Sequence, residues 1–320
     1  MVDIQAIEEA REKIKSYIKE TPLHFSEYFS KLCDGRIFLK LENEQITNSF
    51  KIRGATNKIL NLTESDRENG ILAVSSGNHA QAIGLVAQQF DLPAKIIIPK
   101  STPKNKIDKI RKYRVELILE GDNYDEAELY ARKLAKNDSA TFISGYNDTE
   151  IIAGQGTIGL ELLEQEPTLT DILVPLGGGG LLSGIAVAIK TKRPDINVIG
   201  VQSIACPAFY ESLKAGKIIE VEMFDSIADG MYGGIEYGSI TFDIIKQYVD
   251  EVVLVEEESI RKALSLIWHK EKIRVEGAAA AAIAPILERK DLYKDKIVAA
   301  IISGGNIDEK LFQELVTSTL

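Results

Sequence analysis

Residues 171–189 read Asp-Ile-Leu-Val-Pro-Leu-Gly-Gly-Gly-Gly-Leu-Leu-Ser-Gly-Ile-Ala-Val-Ala-Ile. The apolar run 171–176 predicts a buried strand, and the residues after the four glycines predict a helix through Ile189. A strand that enters a helix through a tight glycine turn is the repeating unit of parallel α/β sheets. This stretch therefore predicts an α/β fold.

The same alternation of apolar runs and helical stretches extends in both directions. Further strands are predicted at residues 36–41, 71–75, 94–98, 115–119, 141–143, 196–202, 250–255 and 297–302, with one more just before Ala228. Helices are predicted at residues 1–21, 77–89, 104–114, 124–136, 154–164 and 259–272. Regular alternation predicts mostly parallel sheets covered by helices on both faces, in which ligands bind beyond the carboxyl ends of strands.

Composition narrows the class of partner. The chain has 320 residues, a net charge of −10 and no block of Lys and Arg, which argues against nucleic acid or an anionic membrane. No apolar run approaches the roughly 18 residues of a membrane-spanning helix. The two cysteines, Cys33 and Cys206, lack metal or redox spacing and fit a reducing compartment. We expect a soluble cytoplasmic protein.

The four glycines at 177–180 predict a phosphate site. Glycines let successive N–H groups point at one spot, and a helix start adds a favourable dipole. A dinucleotide site prefers G-x-G-x-x-G with an acidic residue after the next strand, whereas here the sixth position is Leu182 and that strand ends in Gln202. A small monophosphate fits better, and the alternative is a glycine turn needed only for close helix packing.

Lys51 is a candidate for covalent chemistry because a lysine forms an imine with an aldehyde only when its amine is neutral. Phe50 supplies a flat apolar neighbour, and Arg53 is expected on the next turn as a nearby cation. The alternative is a solvated surface lysine near a helix start.

Two other turns follow predicted strands. Residues 75–79, Ser-Ser-Gly-Asn-His, combine hydroxyl and N–H groups at a helix start, which suits a carboxylate; the alternative is a serine N-cap with a satisfied histidine. Ser303 follows the last strand, where its hydroxyl suits a ring nitrogen; the alternative is a simple turn.

Several motifs in the chain together resemble one enzyme family. They are Asn48-Ser-Phe-Lys-Ile-Arg-Gly-Ala55, Ser75-Ser-Gly-Asn-His-Ala-Gln81, Ala153-Gly-Gln-Gly-Thr157, the four glycines, Val275-Glu-Gly277 and Ser303-Gly-Gly-Asn306. Their order resembles the threonine dehydratase and serine racemase group, from about Thr21 to about Asp308. That group consists of fold-type II enzymes, similar to tryptophan synthase β, that use pyridoxal 5′-phosphate.

The resemblance implies roles for individual residues. Lys51 would hold the cofactor covalently and then act as the base at the substrate Cα, and Ser76 would lie on the opposite face. The cofactor-binding residues would be Phe50, Lys51, Asn78, Gly177, Gly178, Gly179, Gly180, Leu181, Gly230, Glu276 and Ser303. The substrate carboxylate would be bound by Ser75, Ser76, Gly77, Asn78 and His79. Asn78 would donate to the phenolic oxygen of the cofactor, and Ser303 would contact its pyridine nitrogen.

The resemblance also implies architecture and activity. A large cofactor-binding domain would comprise residues 1–62 and 149–320, and a small mobile domain residues 63–148. The implied reaction is elimination of water from L-threonine or L-serine, giving 2-oxobutyrate or pyruvate and ammonia, in a homodimer or homotetramer. Because the sequence ends soon after Asn306, we expect no regulatory domain and no isoleucine feedback.

Departures from the family pattern leave alternatives open. Ser76 stands where dehydratases often carry alanine and racemases carry serine, so a serine racemase or a 3-hydroxyaspartate dehydratase is an alternative. Gln202 and Ala208 replace acidic ligands of metal-activated racemases, so no metal site is expected. Residues 231–239 also depart from the usual basic version, which leaves the substrate open. A non-catalytic pyridoxal-phosphate or nucleotide binding protein is the remote alternative.

Overall fold

The computed structural model describes residues 2–317 as two sheets with helices against them. The strands are β1 (Leu23–Ser26), β2 (Arg36–Leu41), β3 (Ile71–Val74), β4 (Ala94–Ile98), β5 (Glu116–Leu119), β6 (Thr141–Phe142), β7 (Asp171–Pro175), β8 (Asn197–Ser203), β9 (Glu251–Val255) and β10 (Ile297–Ile302). The helices are α1 (Ile4–Ile14), α2 (Glu27–Cys33), α3 (Lys51–Leu60), α4 (Glu64–Asn69), α5 (Asn78–Gln89), α6 (Lys104–Ile110), α7 (Tyr124–Asp138), α8 (Thr149–Gln165), α9 (Gly180–Lys192), α10 (Ala208–Ala215), α11 (Ile240–Tyr248), α12 (Glu257–Leu266), α13 (Gly277–Ala280), α14 (Ala284–Glu288) and α15 (Glu309–Thr317).

The larger sheet, among the described residues, has the strand order β1-β2-β10-β7-β8-β9. Its strands pair in parallel except β1, which is antiparallel to β2. All five residues of β7 are buried, as expected of a strand covered on both faces. The carboxyl ends of β2, β10 and β7 therefore lie side by side.

The smaller sheet, within residues 2–317, has the order β5-β4-β3-β6 and is parallel throughout. The turn at 75–79 follows β3, and residues 143–148 follow β6. The mostly parallel α/β architecture predicted from the alternating pattern is thus confirmed. No helix in the described part of the chain has the length and apolarity needed to cross a membrane.

Glycines inside helices bring α3, α8 and α9 close together. A methyl group added at Gly154 of α8 would lie 2.6 Å from the Cα atom of Gly54 in α3. Gly156 of α8 meets Gly184 of α9 in the same way, where an added methyl would lie 2.9 Å from the Gly184 carbonyl oxygen. The motif at 153–157 thus serves the packing that places α3, and Lys51 is the first residue of that helix.

The predicted position of Arg53, as a cation near Lys51, is wrong. Arg53 is not a cationic neighbour of the Lys51 amine but lies fully buried between β2, α3 and α8. Its guanidinium contacts Glu42 at 2.8 Å and Glu161 at 2.6 Å, and Lys40 contacts Glu161 at 2.5 Å. We call Lys40, Glu42, Arg53 and Glu161 the buried ion cluster.

Some element boundaries differ from the prediction. The strand expected before Ala228 is wrong: the chain is irregular there and enters a 3₁₀ turn, Asp229–Met231. The N-terminal helix ends at Ile14 rather than residue 21, and Met1 lies outside the described residues. Helix α8 begins five residues earlier than expected because Asp148 caps it through the N–H groups of Glu150 and Ile151.

Candidate active site

The site lies where three neighbouring strands of the larger sheet end. The segment after β2 leads to Lys51, Ser303 follows β10, and the glycine loop, residues 177–180, follows β7. The Phe50 N–H donates to the Ser303 carbonyl oxygen at 3.1 Å, and Ser49 pairs with Gly304 in an isolated β-bridge. The sheet therefore brings Lys51, Ser303 and the glycine loop to one edge, as predicted for ligand sites of parallel sheets.

The Lys51 side chain is half-buried, and its amine forms no ion pair with a carboxylate among the described residues. It donates to the Gly145 carbonyl oxygen at 2.7 Å and lies 5.1 Å from the centre of the Phe50 ring. Burial lowers the pKa of Lys51 to about 8, while the charge of Glu276 acts in the opposite direction. A lysine with this pKa is partly neutral near pH 8, which is the state that attacks an aldehyde.

The glycine loop presents free donors at the start of a buried helix. The N–H groups of residues 177–181 meet no acceptor within residues 2–317. Gly179 has φ +88°, a left-handed conformation that favours glycine. Free N–H groups at a helix start form an anion site.

Tyr146 covers this loop. A methyl group added at Gly178 would lie 2.5 Å from the Tyr146 ring, and one at Gly180 would lie 2.9 Å from the Tyr146 Cα atom. Thr241 fixes the loop from another side by donating to the Gly178 carbonyl oxygen at 2.9 Å. Glycine is thus required here for close packing, and the free N–H donors of the loop remain available to an anion.

Asn78 and Glu276 meet in a hydrogen-bonded chain. Asn78 Nδ2 donates to Glu276 Oε1 at 2.8 Å, and the Asn306 N–H donates to Glu276 Oε2 at 3.2 Å. Burial, followed by the charge of Asp229, raises the pKa of Glu276 to about 7. A methyl group added at Gly230 would lie 3.8 Å from Glu276 Oε1, which places Gly230 beside this chain of contacts.

The turn at 75–79 also has free donors. The Gly77 N–H donates to Ser75 Oγ at 3.1 Å, whereas the N–H groups of residues 78–80 meet no acceptor in the described part of the chain. His79 is buried, and its Nε2 lies 3.1 Å from the Ile143 carbonyl oxygen. Burial, together with the nearby Lys51 charge, lowers the pKa of His79 to about 3, so the ring is neutral and Nε2 donates.

The sequence interpretation did not identify Gly145, Tyr146, Thr241 or Asn306 as parts of the site. Gly145 and Tyr146 follow the last strand of the smaller sheet, so the strand-end rule contained the signal. The sequence predicts that strand at 141–143, and the structure has it as the two half-buried residues Thr141 and Phe142. Thr241 lies in α11 and does not follow a strand, so no sequence pattern around it indicates a ligand site.

The Gln202 side chain, at the end of β8, is held by hydrogen bonds to the backbone. Gln202 Nε2 donates to the Cys206 carbonyl oxygen at 3.3 Å, and Gln202 Oε1 accepts the Tyr210 N–H at 2.9 Å. Within residues 2–317 no cluster of three His, Cys, Asp or Glu side chains has the arrangement of a metal site.

These observations fit pyridoxal 5′-phosphate. The free N–H groups of the glycine loop suit a dianionic phosphate, and the partly neutral Lys51 amine suits an aldehyde. Both features lie at the same edge of the sheet.

Comparison with known proteins gives the same family. The model of the pyridoxal-phosphate dependent enzyme family matches residues 14–304. The chain is 43% identical to the L-threonine ammonia-lyase of Thermotoga maritima over 320 residues, 100% of this chain and 79% of that protein. It is 43% identical to the catabolic L-threonine dehydratase TdcB of Staphylococcus aureus, over 96% and 90% of the two chains. The serine racemase structure from Dictyostelium discoideum superposes with a TM-score of 0.89 at 36% identity, covering 96% and 99% of the two chains.

Proposed function

This chain belongs to the pyridoxal-phosphate dependent enzyme family, and we propose that it converts L-threonine to 2-oxobutyrate and ammonia, and L-serine to pyruvate and ammonia. The observation that carries this proposal is the 43% identity to a threonine ammonia-lyase along the whole chain. The partly neutral amine of Lys51 is the chemical feature that such a reaction requires.

The cofactor of the family is pyridoxal 5′-phosphate, which when bound supplies an electron sink for the charge left at the substrate Cα. In our proposal the glycine loop binds its phosphate through the N–H groups of residues 177–181. Lys51 would hold its aldehyde carbon, with Phe50 beside the amine. Asn78, Gly230, Glu276 and Ser303 would contact its ring.

Lys51 would have a second task, as a base towards the substrate. Its neutral amine is the base that removes the α-proton, and the Gly145 carbonyl oxygen holds the amine through a hydrogen bond of 2.7 Å. The substrate carboxylate binds to the turn at 75–79, where the N–H groups of residues 78–80 are free and the helix dipole favours an anion. Loss of the β-hydroxyl as water, followed by hydrolysis, releases the oxo acid and ammonia.

An assay of oxo-acid release tests this function. The purified protein is incubated with L-threonine, L-serine and 3-hydroxyaspartate, and 2-oxobutyrate, pyruvate or oxaloacetate is measured. Lys51→Ala is expected to abolish both the turnover and the visible absorption that borohydride removes, because Lys51 contacts Gly145, the neighbour of the Tyr146 that packs on the glycine loop. Lys31→Ala, which changes an exposed lysine paired with Glu27, serves as the control. Absence of oxo acid from threonine and serine would refute the proposal.

Serine racemisation is a second candidate function, favoured by the hydroxyl of Ser76. The structural likeness to a serine racemase at 36% identity supports it. In this candidate Ser76 returns a proton to Cα on the face away from Lys51. Chiral analysis of serine after incubation measures it, and Ser76→Ala should remove D-serine formation while leaving pyruvate release.

We also propose that the protein works in the cytoplasm as a homodimer or homotetramer, and that residues 63–148 form a small domain that moves against residues 1–62 and 149–320. Cys33 and Cys206 are buried free thiols, which fits a reducing compartment. The separate four-stranded sheet within residues 71–142 supports the division.

A further inference from the structure

Asn306 joins four segments around the site. Its side-chain Nδ2 donates to the Thr47 carbonyl oxygen at 2.8 Å and to Asn78 Oδ1 at 2.8 Å. Its backbone N–H donates to Glu276 Oε2 at 3.2 Å, and its carbonyl oxygen accepts from Lys109 Nζ at 3.5 Å. Thr47 lies four residues before Lys51, so one side chain connects the lysine segment with the start of α5.

These contacts have a direction. A backbone carbonyl can only accept a hydrogen bond, so Thr47 requires the Nδ2 end of the Asn306 amide to face it. The same Nδ2 also faces Asn78, which must therefore present its oxygen. The Asn78 amide is then fixed with Nδ2 towards Glu276 Oε1, 2.8 Å away. A flipped Asn78 would place donor against donor at Asn306, and acceptor against acceptor at Glu276 when that carboxylate is ionised.

The consequence is a free donor at a defined place. An amide nitrogen has two hydrogens, and Asn78 uses one of them for Glu276. The second hydrogen remains for a ligand. We propose that Asn306 is a positioning residue, which makes Asn78 a donor rather than an acceptor towards the bound cofactor. This inference rests on the proposed function, in which Asn78 faces the phenolic oxygen of pyridoxal 5′-phosphate.

The isosteric variant Asn306→Asp distinguishes this role from simple packing. Aspartate keeps the shape of the side chain but replaces both donors by an acceptor facing Thr47 and Asn78. If Asn306 only filled space, Asp would behave like the parent protein and Ala would be the damaging change. For a positioning role Asp is at least as damaging as Ala, because it forces Asn78 to turn or leaves acceptors unpaired.

The experiment measures the visible absorption of the holoenzyme across pH and the affinity of the apoenzyme for pyridoxal 5′-phosphate. Asn306→Asp is expected to shift the absorption band and to weaken cofactor binding about tenfold or more, since an unsatisfied buried hydrogen-bonding group costs of that order. Asn43→Ala is the control: Asn43 donates to the Arg274 carbonyl oxygen at 3.3 Å in the same region and does not contact Asn78.

The outcomes separate the two proposals. If the parent protein shows no absorption band that depends on Lys51, the proposed function fails. If the parent shows the band and Asn306→Asp has the same band and affinity, the role of Asn306 is refuted. Circular dichroism of each variant identifies a folding defect, and in that case Asn306→Ser, which retains a donor, must restore more of the parent spectrum than Asn306→Ala.

Discussion

Polar contacts hold the chain together on two sides of the site, and the two sides differ in burial. Behind α3, the buried ion cluster joins β2, α3 and α8, and its carboxylate and guanidinium side chains are at most 5% exposed. On the other side, helices α6 and α7 beside the smaller sheet contact loops of the larger one through exposed side chains. We call these contacts the surface tethers: Asn105 with Asp308, Lys106 with Asp229, and Arg132 with Glu236.

The difference in burial predicts a difference in strength. Removing one member of a buried ionic network leaves an uncompensated charge, whereas exposed pairs contribute little because water and salt screen them. The Lys106 and Asp229 side chains are 37% and 62% exposed. The buried ion cluster thus fixes α3 firmly, whereas the surface tethers are weak, as the proposed movement of residues 63–148 requires.

The largest expected effect comes from the buried side. Arg53→Ala should lower the free energy of unfolding by about 3–5 kcal/mol, because Glu42 remains buried without its cationic partner and Glu161 keeps only Lys40. Arg132→Ala, which removes an arginine from a surface tether, should cost less than about 1 kcal/mol. Urea unfolding of the two apoproteins measures both. Equal losses for the two arginines would contradict the comparison.

The second prediction concerns Gly178, which follows β7 of the larger sheet and packs against Tyr146, which follows β6 of the smaller sheet. An added methyl group would lie 2.5 Å from the Tyr146 ring, so Gly178→Ala forces the glycine loop and Tyr146 apart. Overpacking of this kind costs about 1–3 kcal/mol, which we expect as weaker binding of pyridoxal 5′-phosphate to the apoenzyme. Titration of the apoenzyme by absorbance measures the affinity.

The matched variant is the double change Gly178→Ala with Tyr146→Ala. Removing the ring opens the space that the new methyl group needs, so cofactor affinity should recover relative to Gly178→Ala alone. If the double variant binds no better, the defect arises within the loop backbone and not from its contact with Tyr146.

The sequence predicted the glycine loop, the turns at 75–79 and at Ser303, and the helix that begins near Lys51, because each has a recognisable local pattern. It could not predict the place of Arg53, since its partners Glu42 and Glu161 are 11 and 108 residues away. Local spacing suggested a neighbour of the Lys51 amine, but tertiary packing turns the guanidinium to the opposite side. Tyr146 was missed although the strand at 141–143 is predicted, because the turn after that strand was not considered as a ligand site.

The smallest expected effect concerns Lys51. The buried ion cluster holds its helix, α3, and the Gly145 carbonyl oxygen accepts a hydrogen bond from its amine. The Lys51 pKa of about 8, against 10.5 for an ordinary lysine, predicts that the apoenzyme captures pyridoxal 5′-phosphate faster as pH rises, with half of the increase near pH 8. Only the neutral amine reacts, and its fraction grows as pH passes the pKa. An exposed lysine would show no plateau until well above pH 10.

Glu276→Gln tests the direction of this dependence. The pKa of Glu276 is about 7, so near pH 8 the carboxylate is mostly ionised and favours the protonated form of Lys51. Removing that charge should lower the pKa of Lys51 and move the capture profile to lower pH, by about one unit or less at the scale of a single partly screened charge. Glu309→Gln, which neutralises an exposed carboxylate paired with Arg274, should leave the midpoint unchanged. A midpoint that rises in Glu276→Gln would show that the charge of Glu276 does not raise the pKa of Lys51.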